Sequence, residues 1–116
     1  MNLERIKQIE SSGDPKAFNA KSGCRGLYQV SEICLKDYNL HHDTRYGIED
    51  LFDPQINETI ARHYLISELP RLLTAWGVPP VEPLILVAYN YGPLNCKKWF
   101  ETLPVETQNY LRKYYK

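Results

Sequence analysis

Glu10 is the residue whose setting most directly suggests chemistry. It stands in the run Ile9-Glu10-Ser11-Ser12-Gly13-Asp14-Pro15, behind apolar residues spaced as Leu3, Ile6 and Ile9. That spacing predicts a helix and the Ser-Ser-Gly-Asp-Pro cluster predicts its end, so the carboxylate falls on the last turn. A helix C-terminus carries roughly half a unit of negative charge. A carboxyl placed there is discouraged from ionising and keeps its proton closer to neutral pH, which suits a general acid. The competing interpretation is a solvated helix-end glutamate with no role. General acid–base cleavage of this kind often pairs two carboxylates, one donating a proton to the leaving group and one acting as nucleophile or as base for water. A second one is hard to find. Asp14 follows four residues later, but the Gly-Asp-Pro break removes the shared helical face, and Asp14 fits better as a turn former before Pro15. Glu32 and Asp37 fall on the second predicted helix and are expected to be solvated.

Four further segments follow in order: Gly26-Leu27-Tyr28-Gln29, Asp53-Pro54-Gln55-Ile56-Asn57, Ala88-Tyr89-Asn90-Tyr91-Gly92-Pro93 and Glu106-Thr107-Gln108-Asn109-Tyr110. Each alone is weak, since such short strings recur by chance. Together with the Glu10-Ser11 pair, from about Ile6 to Tyr115, they resemble the catalytic domain of the soluble lytic transglycosylases, relatives of goose-type lysozyme that cleave the glycan strands of peptidoglycan. The resemblance resolves the missing second carboxylate. In that family a single Glu protonates the bond between N-acetylmuramic acid and N-acetylglucosamine. As carboxylate it then takes a proton from the muramic C6 hydroxyl, which closes a 1,6-anhydro ring. The substrate's 2-acetamido group is thought to shield the charge at the anomeric carbon, and no water is consumed.

Carried over by motif, the resemblance implies Glu10 as catalytic acid and base. It also implies Ser11, Gly26, Tyr28, Gln29, Tyr89, Asn90 and Tyr110 as substrate-binding residues. Ser11 would bond substrate or the catalytic carboxyl, or else serve as a polar helix terminator. Gln29 and the backbone around Gly26 would line a cleft, Gln29 offering both a donor and an acceptor to a sugar or acetamido group. Family members often carry Met where this chain has Tyr28, which leaves the shape of the subsite wall open there. Tyr89 and Asn90 would meet bound sugars, with Gly92 permitting the turn that brings them there. Tyr110 would direct its hydroxyl toward the catalytic carboxyl. For Tyr89 and Tyr110 the alternative is core packing with satisfied hydroxyls. Three readings of function stay open: the non-hydrolytic transglycosylase; a hydrolytic muramidase or chitin-directed enzyme on the same scaffold; and an inactive glycan-binding or structural module of a virion or secretion machine.

Other chemistries have less support. Cys24, Cys34 and Cys96 leave an odd thiol whichever pair is joined. Cys24 and Cys34 are near enough in sequence to bridge, although reduced, buried thiols are the expectation. A Cys-His nucleophile pair using His41, His42 or His63 lacks any local signature. No Cys-x-x-Cys or His-Glu-x-x-His spacing occurs, so no metal and no cofactor is expected. The pair His41-His42 is expected to decorate a loop.

Lys plus Arg and Asp plus Glu number 14 each, a formal net charge of zero. The broad positive footprint of a nucleic-acid binder is absent, so nucleic acid is not an expected partner; the resemblance implies peptidoglycan strands. Nine Tyr and two Trp are a heavy aromatic load that could give flat apolar faces to pyranose rings or simply fill a core. No run reaches the length of a membrane span, and Met1 is followed directly by the first predicted helix without a leader pattern. Action at the bacterial cell wall or periplasm would then need phage-borne release, machine delivery or a trimmed leader, of which a phage or prophage origin is the preferred expectation. A monomer is expected.

The elements that must position these residues are helical throughout. At 116 residues the chain is expected to form one lysozyme-like catalytic domain, residues 1–116, around a single core. It is all-α, at most a mainly helical α+β fold, with a substrate cleft. The spacing predicts helices from about Asn2 to Ser11 and from near Gly26 to Tyr38. Residues 39–52 are predicted irregular, with a short hairpin at 45–51 as an option. Asp53 is a predicted N-cap with Pro54 at the first helical position, and Ile56, Ile60 and Tyr64 form the buried stripe that follows. Pro70 should kink or restart that helix, and Gly77-Val78-Pro79-Pro80 should end it. The run Leu84-Ile85-Leu86-Val87-Ala88 predicts a central helix, from about Val81 to Asn90, buried on most sides. Two short helices, near 95–102 and 104–115, complete the set.

Overall fold

A computed structural model describes residues 1–91 and 105–116. Among the described residues, six α-helices are joined by a 3-10 turn and a π-helical segment: α1 Leu3–Ser11, α2 Glu32–His42, the 3-10 turn Ile48–Phe52, α3 Pro54–Arg62, the π segment His63–Glu68, α4 Leu69–Ala75, α5 Glu82–Tyr91 and α6 Val105–Tyr114. Among the described residues, extended pairing is limited to the isolated bridges Phe18–Arg25 and Arg25–Val30. The all-α expectation holds. The expected helix at 95–102, Gly92 and Cys96 lie outside the described residues. The chain divides into two compact units, residues 2–64 and residues 65–116 with Met1.

In the first unit, α1 begins where the Asn2 side chain accepts the Arg5 N–H at 3.1 Å. It ends where Ser12 turns left-handed at φ 55° and returns its own N–H to the Gln8 carbonyl. Helix α2 starts at Glu32 rather than near Gly26. The reason is backbone geometry: Gly26 and Gln29 sit at φ +81° and +51°, values that a right-handed helix excludes. Ser31 supplies the cap instead, its hydroxyl accepting the Cys34 N–H at 3.2 Å. The helix also runs past Tyr38, so His41 and His42 form its last two residues instead of decorating a loop. Residues 48–52 form a 3-10 turn rather than a hairpin, because the Asp50 carboxylate accepts the Gly47 N–H at 2.7 Å and closes the turn locally.

Asp53 caps α3 as expected, its carboxylate accepting from the Gln55 and Ile56 N–H groups at 2.9 and 3.1 Å. The buried stripe is rotated from the expected one. Asn57, Ile60, Ala61 and Tyr64 are buried while Ile56 is half-buried. An amide thus occupies the place the apolar pattern had assigned to isoleucine.

In the second unit, Pro70 stands in the first turn of α4, directly after the π segment. A proline lacks the N–H that would continue an α-helical ladder, so a new helix begins there. Gly77 at φ +72° follows its end. All of Leu84 to Ala88 are buried, and α5 packs against both α4 and α6, as the apolar run predicted for a central helix. The Tyr115 hydroxyl donates to Glu82 at 3.0 Å and ties the end of α6 to the start of α5.

Candidate active site

Glu10 lies on the last turn of α1 and is half-buried. The turns after it are strongly specified. Ser11 donates its hydroxyl to the Lys7 carbonyl and accepts the Gly13 N–H, both at 3.2 Å. This is the helix-terminating use of the serine, and it leaves one lone pair of the hydroxyl for another donor. Asp14 closes an Asx turn by accepting the Lys16 N–H at 2.9 Å, the turn-forming role read from its place before Pro15.

The Gly26-Leu27-Tyr28-Gln29 segment is a tight turn whose ends are pinned by reciprocal bonds: Arg25 N–H to Val30 O at 3.1 Å and Val30 N–H to Arg25 O at 3.0 Å. Its shape is imposed by Asn57, which is fully buried. The Asn57 amide donates to the Arg25 carbonyl at 2.8 Å and to the Leu51 carbonyl at 2.9 Å, and it accepts the Tyr28 N–H at 2.9 Å. The apolar periodicity of α3 gave no hint of this residue. The available signal was its polarity, set one turn before Ile60 on a face otherwise apolar.

Gly26 is buried in this arrangement, and a Cβ on it would fall 2.2 Å from the Leu51 carbonyl oxygen and 2.3 Å from Asn57 Nδ2. The glycine is therefore required for packing. Tyr28, expected to wall a subsite, has its ring in the core at 1% exposure. Its hydroxyl donates to Glu58 at 3.1 Å. Burial, reinforced by the Glu58 carboxylate, pushes the Tyr28 phenol up to about 12. Gln29 stays half-buried at φ +51°. Its side-chain N–H2 reaches two backbone carbonyls, Ala17 at 3.2 Å and Gly26 at 3.1 Å. Since only the N–H2 end can face two carbonyls, the amide orientation is unambiguous. Gln29 thus presents an acceptor, the Oε1 end, rather than the donor and acceptor expected.

In the second unit, Tyr89 and Asn90 occupy the final turn of α5 and are half-buried. The Asn90 carbonyl accepts from the Thr107 hydroxyl at 2.9 Å, linking α5 to α6. Its N–H2 end is then what Asn90 can offer a ligand. Tyr110 lies three residues after Thr107 on α6 and is buried at 5% exposure.

Cys24 and Cys34 are free thiols. Burial pushes the Cys34 thiol up to about 11, which makes it a poor nucleophile at neutral pH. Asp37, expected to be solvated, instead meets His63 Nε2 at 3.2 Å and His41 Nδ1 at 3.4 Å.

A helical chain that sets a carboxylic acid on the last turn of its first helix, with polar side chains held on tight turns, belongs to the all-α, lysozyme-like class. A family model described as the transglycosylase SLT domain matches residues 2–111, and the chain belongs to that family. The family is one of lytic transglycosylases, which act on peptidoglycan. A search of curated proteins and one of solved structures each gave no match. Among the described residues, no helix is long and apolar enough to cross a membrane.

Proposed function

We propose that this chain is a peptidoglycan lytic transglycosylase that cuts the β-1,4 bond between N-acetylmuramic acid and N-acetylglucosamine, with Glu10 as the only catalytic carboxylate. The observation that carries the reading is the family match over residues 2–111 together with Glu10 on the terminal turn of α1. The negative end of the helix favours the neutral acid before substrate arrives. Glu10 then gives its proton to the glycosidic oxygen, and the C1–O4 bond breaks. The 2-acetamido group shields the positive charge left at C1. The muramic C6 hydroxyl attacks C1 and returns its proton to the Glu10 carboxylate. One bond to C1 breaks and one forms, the acid is regenerated, and water is not used.

The Gln29 Oε1 acts as an acceptor for a sugar hydroxyl or an acetamido N–H. The Asn90 N–H2 acts as a donor, and Tyr89 supplies an aromatic face. Tyr28 and Gly26 support the Gln29 turn from inside, and Ser11 fixes the end of α1. Tyr110 is proposed as a further substrate-binding residue. The substrate places the site of action at the bacterial cell wall.

Digestion of purified sacculi followed by mass spectrometry tests the reading. Products ending in 1,6-anhydro-muramic acid, one water lighter than reducing ends, are expected, and Glu10→Gln should abolish them while the protein stays folded and still sediments with sacculi. Reducing ends only would replace the transglycosylase with a muramidase. Undiminished lysis by a folded Glu10→Gln protein would remove Glu10 from the mechanism.

A further inference from the structure

Three histidines and an aspartate in the first unit form a cluster that glycan cleavage does not use. Asp37 and His41 are four residues apart on α2 and so share one face near its C-terminal end, while His63 comes from the residue that follows α3. One ligand atom from each of Asp37, His41 and His63 lies within 4.8 Å of the others. His63 Nε2 is 3.2 Å from Asp37 Oδ2, and His41 Nδ1 is 3.4 Å from Asp37 Oδ1. Zinc binds imidazole nitrogen at about 2.0–2.1 Å, and two ligands at a tetrahedral angle then stand about 3.3–3.4 Å apart. The two separations, one to each oxygen of the Asp37 carboxylate, lie close to that edge length.

The rest of the cluster has the arrangement a metal ligand needs. His63 Nδ1 is 3.2 Å from His42 Nε2, so a His63 ring that binds through Nε2 keeps its proton on Nδ1 and donates it to His42. Such a bond on the far nitrogen fixes the tautomer and rotation of a liganding histidine. The His42 ring is itself stacked on Tyr38, with centroids 4.1 Å apart, and Tyr38 meets the His63 ring edge-on at 5.4 Å. Exposure rises across the group, with 12% for the His63 side chain, 22% for Asp37 and 40% for His41. His63 and Asp37 are thus held, whereas His41, which bonds the Asp37 backbone carbonyl at 2.9 Å, can rotate to complete the set from the solvent side.

We propose that Asp37, His41 and His63 bind one zinc ion, with His42 orienting His63 and water in the fourth position. Two neutral imidazoles and a carboxylate suit a borderline divalent ion of this type better than calcium or magnesium, which take oxygen ligands. The ion would clip the end of α2 to the end of α3. This reading is independent of the glycan chemistry.

Titration of zinc chloride into untagged, chelator-treated protein, followed by calorimetry, should show one saturable site, and zinc should raise the thermal midpoint. His41→Ala, at an exposed position and checked by circular dichroism, should weaken binding at least about tenfold and abolish the zinc-dependent thermal shift. His63→Gln should do the same. Cobalt substitution should give a four-coordinate visible spectrum without a thiolate charge-transfer band. The absence of a saturable site would overturn the proposal. So would binding unchanged in both histidine variants, or binding lost on Cys24→Ser instead.

Discussion

Asn57→Ala tests whether one buried amide holds the Gly26–Gln29 turn. The side chain is fully buried and makes three bonds of 2.8–2.9 Å, to the Tyr28 N–H and to the carbonyls of Arg25 and Leu51. Truncation removes all three bonds, but the Arg25 carbonyl keeps the Val30 N–H, so the Tyr28 N–H and the Leu51 carbonyl are the two groups that lose their partner inside. Each buried group left unsatisfied costs about 1–3 kcal/mol. A water entering the space vacated by the amide would recover part of this, so the lower half of the range applies and the expected loss for the two groups is about 2–4 kcal/mol. Against a typical domain stability of about 5–15 kcal/mol, that is a large fraction. Urea unfolding monitored by circular dichroism and tryptophan fluorescence should show the midpoint fall at constant m, the signature of lost stability rather than of a changed denatured state. Asn57→Asp separates hydrogen bonding from volume. It keeps an acceptor for the Tyr28 N–H but sets carboxylate oxygen against two carbonyl oxygens. Burial among acceptors favours its protonated form in the folded state, so its stability should be greatest at acid pH and fall as pH rises. A loss below about 1 kcal/mol for Asn57→Ala, less than one unsatisfied buried group costs, would refute the assignment. So would an Asn57→Asp protein as stable as the parent at pH 8.

Two other perturbations bear on the same turn. Gly26→Ala puts a Cβ 2.2 Å from the Leu51 oxygen at φ +81°. The left-handed backbone alone costs roughly 1–2 kcal/mol, and displacement of Asn57 adds to it. The Gly26→Ala, Asn57→Ala double variant should therefore lose less than the sum of the singles, and strict additivity would show that the two sites act separately. Tyr28 contributes to the alkaline limit, since its phenol is pushed from 10 up to about 12 by burial and the Glu58 carboxylate. A folded-state value above the unfolded one gives a contribution fully present below pH 10 and lost as pH rises through 12. Cys34, raised from 9 to about 11, adds a loss that starts lower. Tyr28→Phe should cost about 1 kcal/mol at neutral pH and flatten the fall in urea midpoint between pH 10 and 12. An unchanged alkaline slope would contradict it.

The amino-acid order alone determined what depends on neighbours a turn or two away. Leu3, Ile6 and Ile9 with the Ser-Ser-Gly-Asp-Pro break place Glu10 on a terminal helical turn, and Asp53-Pro54 starts α3, because capping and helical periodicity act within about four residues. Leu84 to Ala88 announce a buried helix by hydrophobicity alone. The family was legible too, from short motifs in order. The positions of individual side chains were not. The Gly26–Gln29 turn is shaped by an amide 29 to 32 residues further on, which sends Tyr28 into the core and leaves Gln29 an acceptor. The register of α3 turned on the same amide, since a buried polar group is stable only where distant backbone partners meet it. Asp37 and His63 meet across 26 residues of chain, so no spacing rule for metal ligands could find them. Tertiary packing decides such encounters, because only the folded backbone brings together groups that local bonding leaves far apart.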